Sequence, residues 1–186
     1  MPAAPPGTDP YLQPQTSRRE RLARALWQLV YLGLFRPSPR ICHGWRAFLL
    51  RCFGARVGRG SRIYPACRIW APWCLVCEDV VAIADGAVIY NPSLVTIRSH
   101  AIVSQEAYIC GAGHDIDSPA FPMISKPVTI GAYGWICARA VVMAGVTTGE
   151  GAVLALGAVA SRDLQAWTVY AGVPARTLRR RTQHRV

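Results

Sequence analysis

The stretch from Ile130 to Leu164 repeats in sixes: IGAYGW, ICARAV, VMAGVT, TGEGAV, LALGAV and ASRDL. The first position of each hexad is Ile130, Ile136, Val142, Thr148, Leu154 and Ala160. The fifth is Gly134, Ala140, Val146, Ala152, Ala158 and Leu164, and the second is small except at Met143. A period of six fits neither a helix nor an alternating strand. It fits a short strand followed by a tight turn, three hexads closing one triangular coil around a narrow core. Each side then contributes one aliphatic and one small residue, and glycines and other small residues let the backbone turn the corners.

The same register runs upstream through hexads that begin at Val57, Ile63 and Ile69, at Cys77, Ile83 and Ile89, and at Ile97, Val103 and Ile109. Trp73 and Ser93 fit their fifth positions worst, and each precedes a two-residue insertion. After Gly113 the repeat stops for HDIDSPAFPMISKPVT and resumes at Ile130. Every interruption falls at one corner. The pattern predicts an all-β solenoid over residues 57–175, a parallel β-helix of five to six triangular coils with a long loop at 114–129. Its prolines and Phe121 favour an ordered flap, and loops of this length are commonly functional.

The segment 17–56 reads as a helical N-terminal cap. Ser17-Arg18-Arg19-Glu20 has the form of a capping box, and Leu22, Leu26, Leu29 and Gly33 follow at helical spacing, with Trp27, Val30, Tyr31 and Leu34 widening the apolar face. A second short helix is expected to turn Ile41, Trp45, Phe48, Leu49 and Cys52 inward and to end at Gly54. An amphipathic cap is what the open end of a solenoid requires. A basic, aromatic-rich helix also suits a membrane surface, although its apolar run is too short to cross one. Residues 1–16 read as a disordered Pro-rich tail, and 176–186 as a basic C-terminal tail or short helix.

The formal net charge is +11, and all basic residues except Lys126 are arginines. They gather at the ends, which suggests an anionic partner such as a membrane or a phosphate-bearing ligand. With no zinc-finger, homeodomain or RNA-binding signature, nucleic acid is not expected. Seven cysteines, an odd number, with no secretion signal, point to reduced thiols in a cytoplasmic protein. Cys74 and Cys77 have CxxC spacing but no second pair, so no metal is expected.

Several stretches carry a family resemblance: Trp135-Ile136 with Val146 to Val153, Gly157-Ala158-Val159, and Ala171-Gly172-Val173-Pro174-Ala175. With Leu34 to Arg40, His43 to Arg46, Phe53-Gly54-Ala55, Ser104-Gln105 and His114-Asp115, the chain resembles the hexapeptide-repeat acyltransferases. Within them it is most similar to the exopolysaccharide O-acetyltransferases of the colanic acid type. The resemblance implies a left-handed β-helix, a homotrimer, and acetyl-CoA bound in clefts between subunits. It implies acetyl transfer to a sugar hydroxyl, on a lipid-linked or nucleotide-linked glycan intermediate at the inner face of the membrane. The same fold also serves antibiotic, amino-sugar and serine acceptors, and a non-catalytic binding module is a further alternative.

The reaction needs a base for the hydroxyl proton and donors for the oxyanion. Of four histidines, His114 alone stands where the coil breaks into the long loop, and the resemblance makes it the base. Asp115 or Asp117 can orient the imidazole or act as ordinary loop carboxylates. Asn91, Glu106, Asp117 and Phe121 are candidates for acceptor contacts. For the pantetheine of acetyl-CoA the matching positions are Ala138, Leu156, Gly157 and Ser161, with Trp135 walling the thiol end. Arg162, with Arg179 or Arg180, suits the CoA phosphates. A zinc site of the carbonic anhydrase kind would need three histidines, and only His100 and His114 lie within the coils.

Overall fold

The computed structural model describes residues 17–183; the Pro-rich stretch 1–16 and the terminal residues with His184 and Arg185 lie outside them. The hexads build three parallel sheets. The first face carries strands Arg56–Val57, Leu75–Cys77, Val95–Ile97, Val128–Ile130 and Thr147–Thr148. The second carries Arg62–Ile63, Ala82–Ile83, Ile102–Val103, Trp135–Ile136, Val153–Leu154 and Thr168–Ala171. The third carries Arg68–Ile69, Val88–Tyr90, Tyr108–Cys110, Val141–Val142 and Val159–Ala160. Five coils are complete, and a sixth begins with the bridge of Leu164 to Thr148.

The core is the one the hexads dictate. Ile63, Ile83, Ile89, Ile97, Val103, Ile109, Ile130, Ile136, Val142 and Leu154 are fully buried, stacked one above another through the coils. The second hexad position is small for a steric reason: a Cβ at Gly131 would lie 2.6 Å from the carbonyl oxygen of Thr148 in the next coil. At the interrupted corner the register differs from expectation. Trp73 and Ser93 are only half-buried, and Leu75, Val95 and Val128 fill the core slots instead. The inserted residues therefore precede the fifth slot rather than follow it.

The cap is helical but turns other faces inward than the spacing predicts. Helix α1 (Arg18–Val30) starts on the Ser17–Glu20 capping box and passes into a wide π turn over Tyr31–Phe35. Its buried rings are Trp27, Tyr31 and Phe35, spaced by four, with Trp27 packed on Phe53 and its indole N–H donating to the Ile69 carbonyl at 2.7 Å. Leu22, Leu26 and Leu29, expected inside, are exposed. In helix α2 (His43–Cys52) the inward residues are Arg46, Ala47, Leu49 and Leu50, while Ile41, Trp45, Phe48 and Cys52 face outward. On the first helix side the bulky Trp27, Tyr31 and Phe35 fill the end of the stack, whereas in α2 the aliphatic Leu49 and Leu50 go in with Arg46 and the rings of Trp45 and Phe48 stay outside.

Arg46 pins the cap to the first coil. Its guanidinium is fully buried and donates to the carbonyls of Ile63 (2.6 Å), Pro39 (2.8 Å) and Arg40 (2.6 Å) and to the Ser38 hydroxyl (2.7 Å). A buried charge is tolerated only when its donors are met in this way.

The C-terminal end also differs from expectation. Arg176–Arg180 is neither tail nor helix but a strand antiparallel to Thr168–Ala171. It covers the edge the solenoid would otherwise expose. Arg181 then donates to the carbonyls of Tyr133 and Gly151 and lies over the Trp167 ring.

Candidate functional site

The interrupted corner, between the third and first faces, holds the candidate site. There the long excursion folds as a hairpin: Ala112–His114 pairs antiparallel with Met123–Ser125, with His114 opposite Met123. The Asp115 N–H extends the ladder to the Pro122 carbonyl at 3.0 Å. At the tip Phe121 takes a left-handed backbone conformation (φ 42°), which turns its carbonyl and its ring toward His114. The two rings stack, centroids 4.5 Å apart at 8°, and His114 Nδ1 lies 2.9 Å from the Phe121 carbonyl oxygen. A carbonyl oxygen only accepts, so the hydrogen-bond network assigns the proton to Nδ1 and leaves the lone pair on Nε2. The His114 side chain is exposed.

The orienting group is thus a backbone carbonyl rather than a carboxylate. Asp115, expected beside the imidazole, accepts from the Asp117 N–H at 3.2 Å and stabilises the loop as an Asx turn. Phe121 holds the candidate base, a role its side-chain type did not signal.

Asn91, expected to meet an acceptor, does not face one. It is fully buried, accepting from the Ala71 N–H at 3.0 Å and donating to the carbonyls of Ala71 (2.7 Å) and Cys74 (3.0 Å). It stitches the corner of one coil to the coil before it and offers nothing to an acceptor. Glu106 lies at the corner between the second and third faces, away from the hairpin, paired with Arg139 at 2.7 Å. Both side chains are mostly exposed there, so the pair contributes little to stability.

The positions matched to pantetheine occupy two different edges. Ala138, Leu156 and Gly157 stack at the corner between the second and third faces, where the Gly157 N–H donates to the Ala138 carbonyl at 3.1 Å. Leu156 projects outward, 73% exposed. Trp135 projects from the second face, 45% exposed, its indole N–H on the Ser104 hydroxyl at 2.8 Å. Ser161 and Arg162 lie at the hairpin's corner and line a hollow of about 260 Å³ with Tyr170, Ala175 and Arg176. Arg179 and Arg180 stand opposite Val169 and Thr168 in the last strand, and Arg176 takes the place by Arg162 expected of them. Within one chain the third face separates the Ala138–Gly157 edge from His114.

The other two histidines among the described residues make packing and backbone contacts. His100 stacks on Tyr133 at the corner between the first and second faces (centroids 4.8 Å apart), and His43 binds the Ile63 carbonyl. Burial pushes the Cys77 thiol up to about 12 and raises those of Cys67 and Cys74 as well. Among the described residues no three His, Cys, Asp or Glu side chains gather as a metal site.

No family model matches the chain. It is 35% identical over 158 residues to the "Putative colanic acid biosynthesis acetyltransferase WcaF" of Escherichia coli, covering 85% of this chain and 87% of that protein. Its fold superposes on the hexapeptide-repeat acetyltransferase VCA0836 of Vibrio cholerae with a TM-score of 0.82, at 24% identity, over 90% of this chain and 96% of that one. It superposes on a galactoside acetyltransferase in complex with coenzyme A with a TM-score of 0.74, at 22% identity, over 89% and 84% of the two chains. The chain therefore belongs to the hexapeptide-repeat acetyltransferases and has their left-handed parallel β-helix.

Proposed function

We propose that the protein moves the acetyl group of acetyl-CoA to a sugar hydroxyl in exopolysaccharide synthesis, with His114 as general base. The observation that carries this is the bond of the His114 Nδ1–H to the Phe121 carbonyl, which leaves the lone pair on Nε2 of an exposed side chain. The acceptor hydroxyl gives its proton to Nε2 as its oxygen forms the new C–O bond at the acetyl carbonyl. Collapse of the tetrahedral intermediate breaks the C–S bond, and the imidazolium returns the proton to the departing CoA thiolate. The sugar acceptor rests on the printed names of relatives, a colanic acid biosynthesis acetyltransferase and a galactoside O-acetyltransferase. The donor rests on a related fold crystallised with acetyl coenzyme A.

A homotrimer fits this reading, because the Ala138–Gly157 edge of one subunit can face the hairpin of the next, which a single chain does not allow. Peripheral membrane contact fits the cap. No helix among the described residues is long and apolar enough to cross a membrane. The exposed Leu22, Leu26, Leu29 and Leu34, with Trp45 and Phe48, instead form an apolar surface beside arginines. The Trp45 indole joins its two halves by donating to the Leu34 carbonyl at 3.1 Å. The test is CoA release with a panel of sugar acceptors, paired with mass analysis of exopolysaccharide from cells with and without the protein. Release that no sugar stimulates, together with unchanged polymer mass, would refute the assignment.

A further inference from the structure

A groove of about 650 Å³ runs between α1 and the outward side of the third face. Arg21, Arg24 and Arg36 project into it from the cap and Arg68 from the first strand of the third face, and no carboxylate is among the described residues that line it. Four arginines around one hollow, of which Arg21, Arg36 and Arg68 are exposed, make a local positive potential that attracts an anion from solution. Their planar forks suit phosphate oxygens, which they can bind in bidentate fashion. The floor is aromatic, with Trp70, Tyr90 and Tyr108. Arg24 lies 4.3 Å over the Trp70 ring, and Trp70 meets Tyr90 edge-on at 5.4 Å.

The groove reaches the hairpin. The Tyr90 hydroxyl donates to the Met123 sulfur at 3.8 Å, and Met123 is the residue paired with His114. Tyr90 therefore borders both the arginine hollow and the hairpin that carries the candidate base. At its other wall the groove includes Leu32, half exposed, from the helix whose outer side bears Leu22, Leu26 and Leu29.

We propose that this groove binds the diphosphate through which the acceptor sugar is attached to its carrier. The four arginines hold the diphosphate, and the sugar passes over Tyr90 toward His114. The inference rests on the sugar-acceptor reading above and adds the place on this chain where the diphosphate of a carrier-linked acceptor is held. Two carriers share this chemistry, a prenyl chain and a nucleoside, and the test separates them.

The test is calorimetric titration of the full chain with CoA kept saturating, so that the phosphates of the donor cannot be mistaken for the ligand. The probes are inorganic pyrophosphate, UDP-glucose and farnesyl diphosphate. Pyrophosphate is expected to bind one per chain, and Arg36→Gln or Arg68→Gln to weaken it about 10-fold each, the size of a lost charge-assisted contact. Arg62→Gln, exposed on the second face and outside the groove, should leave it unchanged. Tighter binding of farnesyl diphosphate than of UDP-glucose identifies a prenyl carrier, and the reverse order a nucleotide one. Absence of pyrophosphate binding, equal binding by the Arg36→Gln/Arg68→Gln double variant, or an equal loss in Arg62→Gln overturns the proposal. Any of these with His114-dependent CoA release onto a free sugar intact would remove the groove alone, whereas loss of release with every sugar would remove the function itself.

Discussion

Phe121 holds His114 twice over: its ring lies flat on the imidazole at 4.5 Å, and its carbonyl accepts the Nδ1 proton at 2.9 Å. A carbonyl placed in this way fixes both the tautomer and the orientation of an imidazole. The loop thereby fixes the direction of Nε2.

Replacing Phe121 by Ala keeps the carbonyl and removes the stacked ring. An aromatic pair is worth about 0.5–1.5 kcal/mol beyond burial, so kcat should fall by roughly 3- to 10-fold. The KM for acetyl-CoA should hold, and the melting temperature should barely move. Steady-state kinetics beside a thermal melt check this.

Asn91 separates a structural role from an acceptor contact. Asn91→Ala strands a buried N–H and two buried carbonyls, each costing about 1–3 kcal/mol. A stability loss of roughly 3 kcal/mol or more is expected in urea unfolding, with the acceptor KM of the folded fraction unchanged.

Arg162 and Arg176 flank the hollow beside Ser161. If they meet the CoA phosphates, Arg162→Gln and Arg176→Gln should each raise the KM for acetyl-CoA about 10-fold, while Arg179→Gln, outside the hollow, should not. Initial rates over acetyl-CoA concentration at fixed acceptor decide it.

Burial raises the Cys77 thiol to about 12 and the Cys67 thiol as well. A raised thiol pKa favours the protonated, unreactive form, so at pH 8 both should resist thiol reagents in the folded protein. Cys52, exposed, should react at once. Mass mapping of labelled peptides before and after denaturation reads the difference.

The solenoid was legible because its core positions must be apolar in every coil, and Ile130, Ile136 and Val142 announce them. The corner insertions were placed two residues off, since Trp73 and Leu75 are both apolar and only packing chooses between them. In the cap, periodicity could not select between the leucine stripe and the Trp27–Tyr31–Phe35 stripe on one helix. Nor did it signal that Arg46 would be buried, because its partners are backbone carbonyls, which no side chain advertises. The same blindness explains why a carboxylate was expected at His114 and a Phe121 carbonyl was found. The strand Arg176–Arg180 is invisible in the sequence because consecutive exposed residues carry no hydrophobic pattern.

The most direct measurement is kcat/KM for acceptor-stimulated CoA release by His114→Ala, on protein whose melting and assembly match the wild type. Loss of a positioned general base predicts a fall of about 10²- to 10⁴-fold, with binding of CoA preserved. Turnover within threefold of wild type by that folded variant would contradict the account.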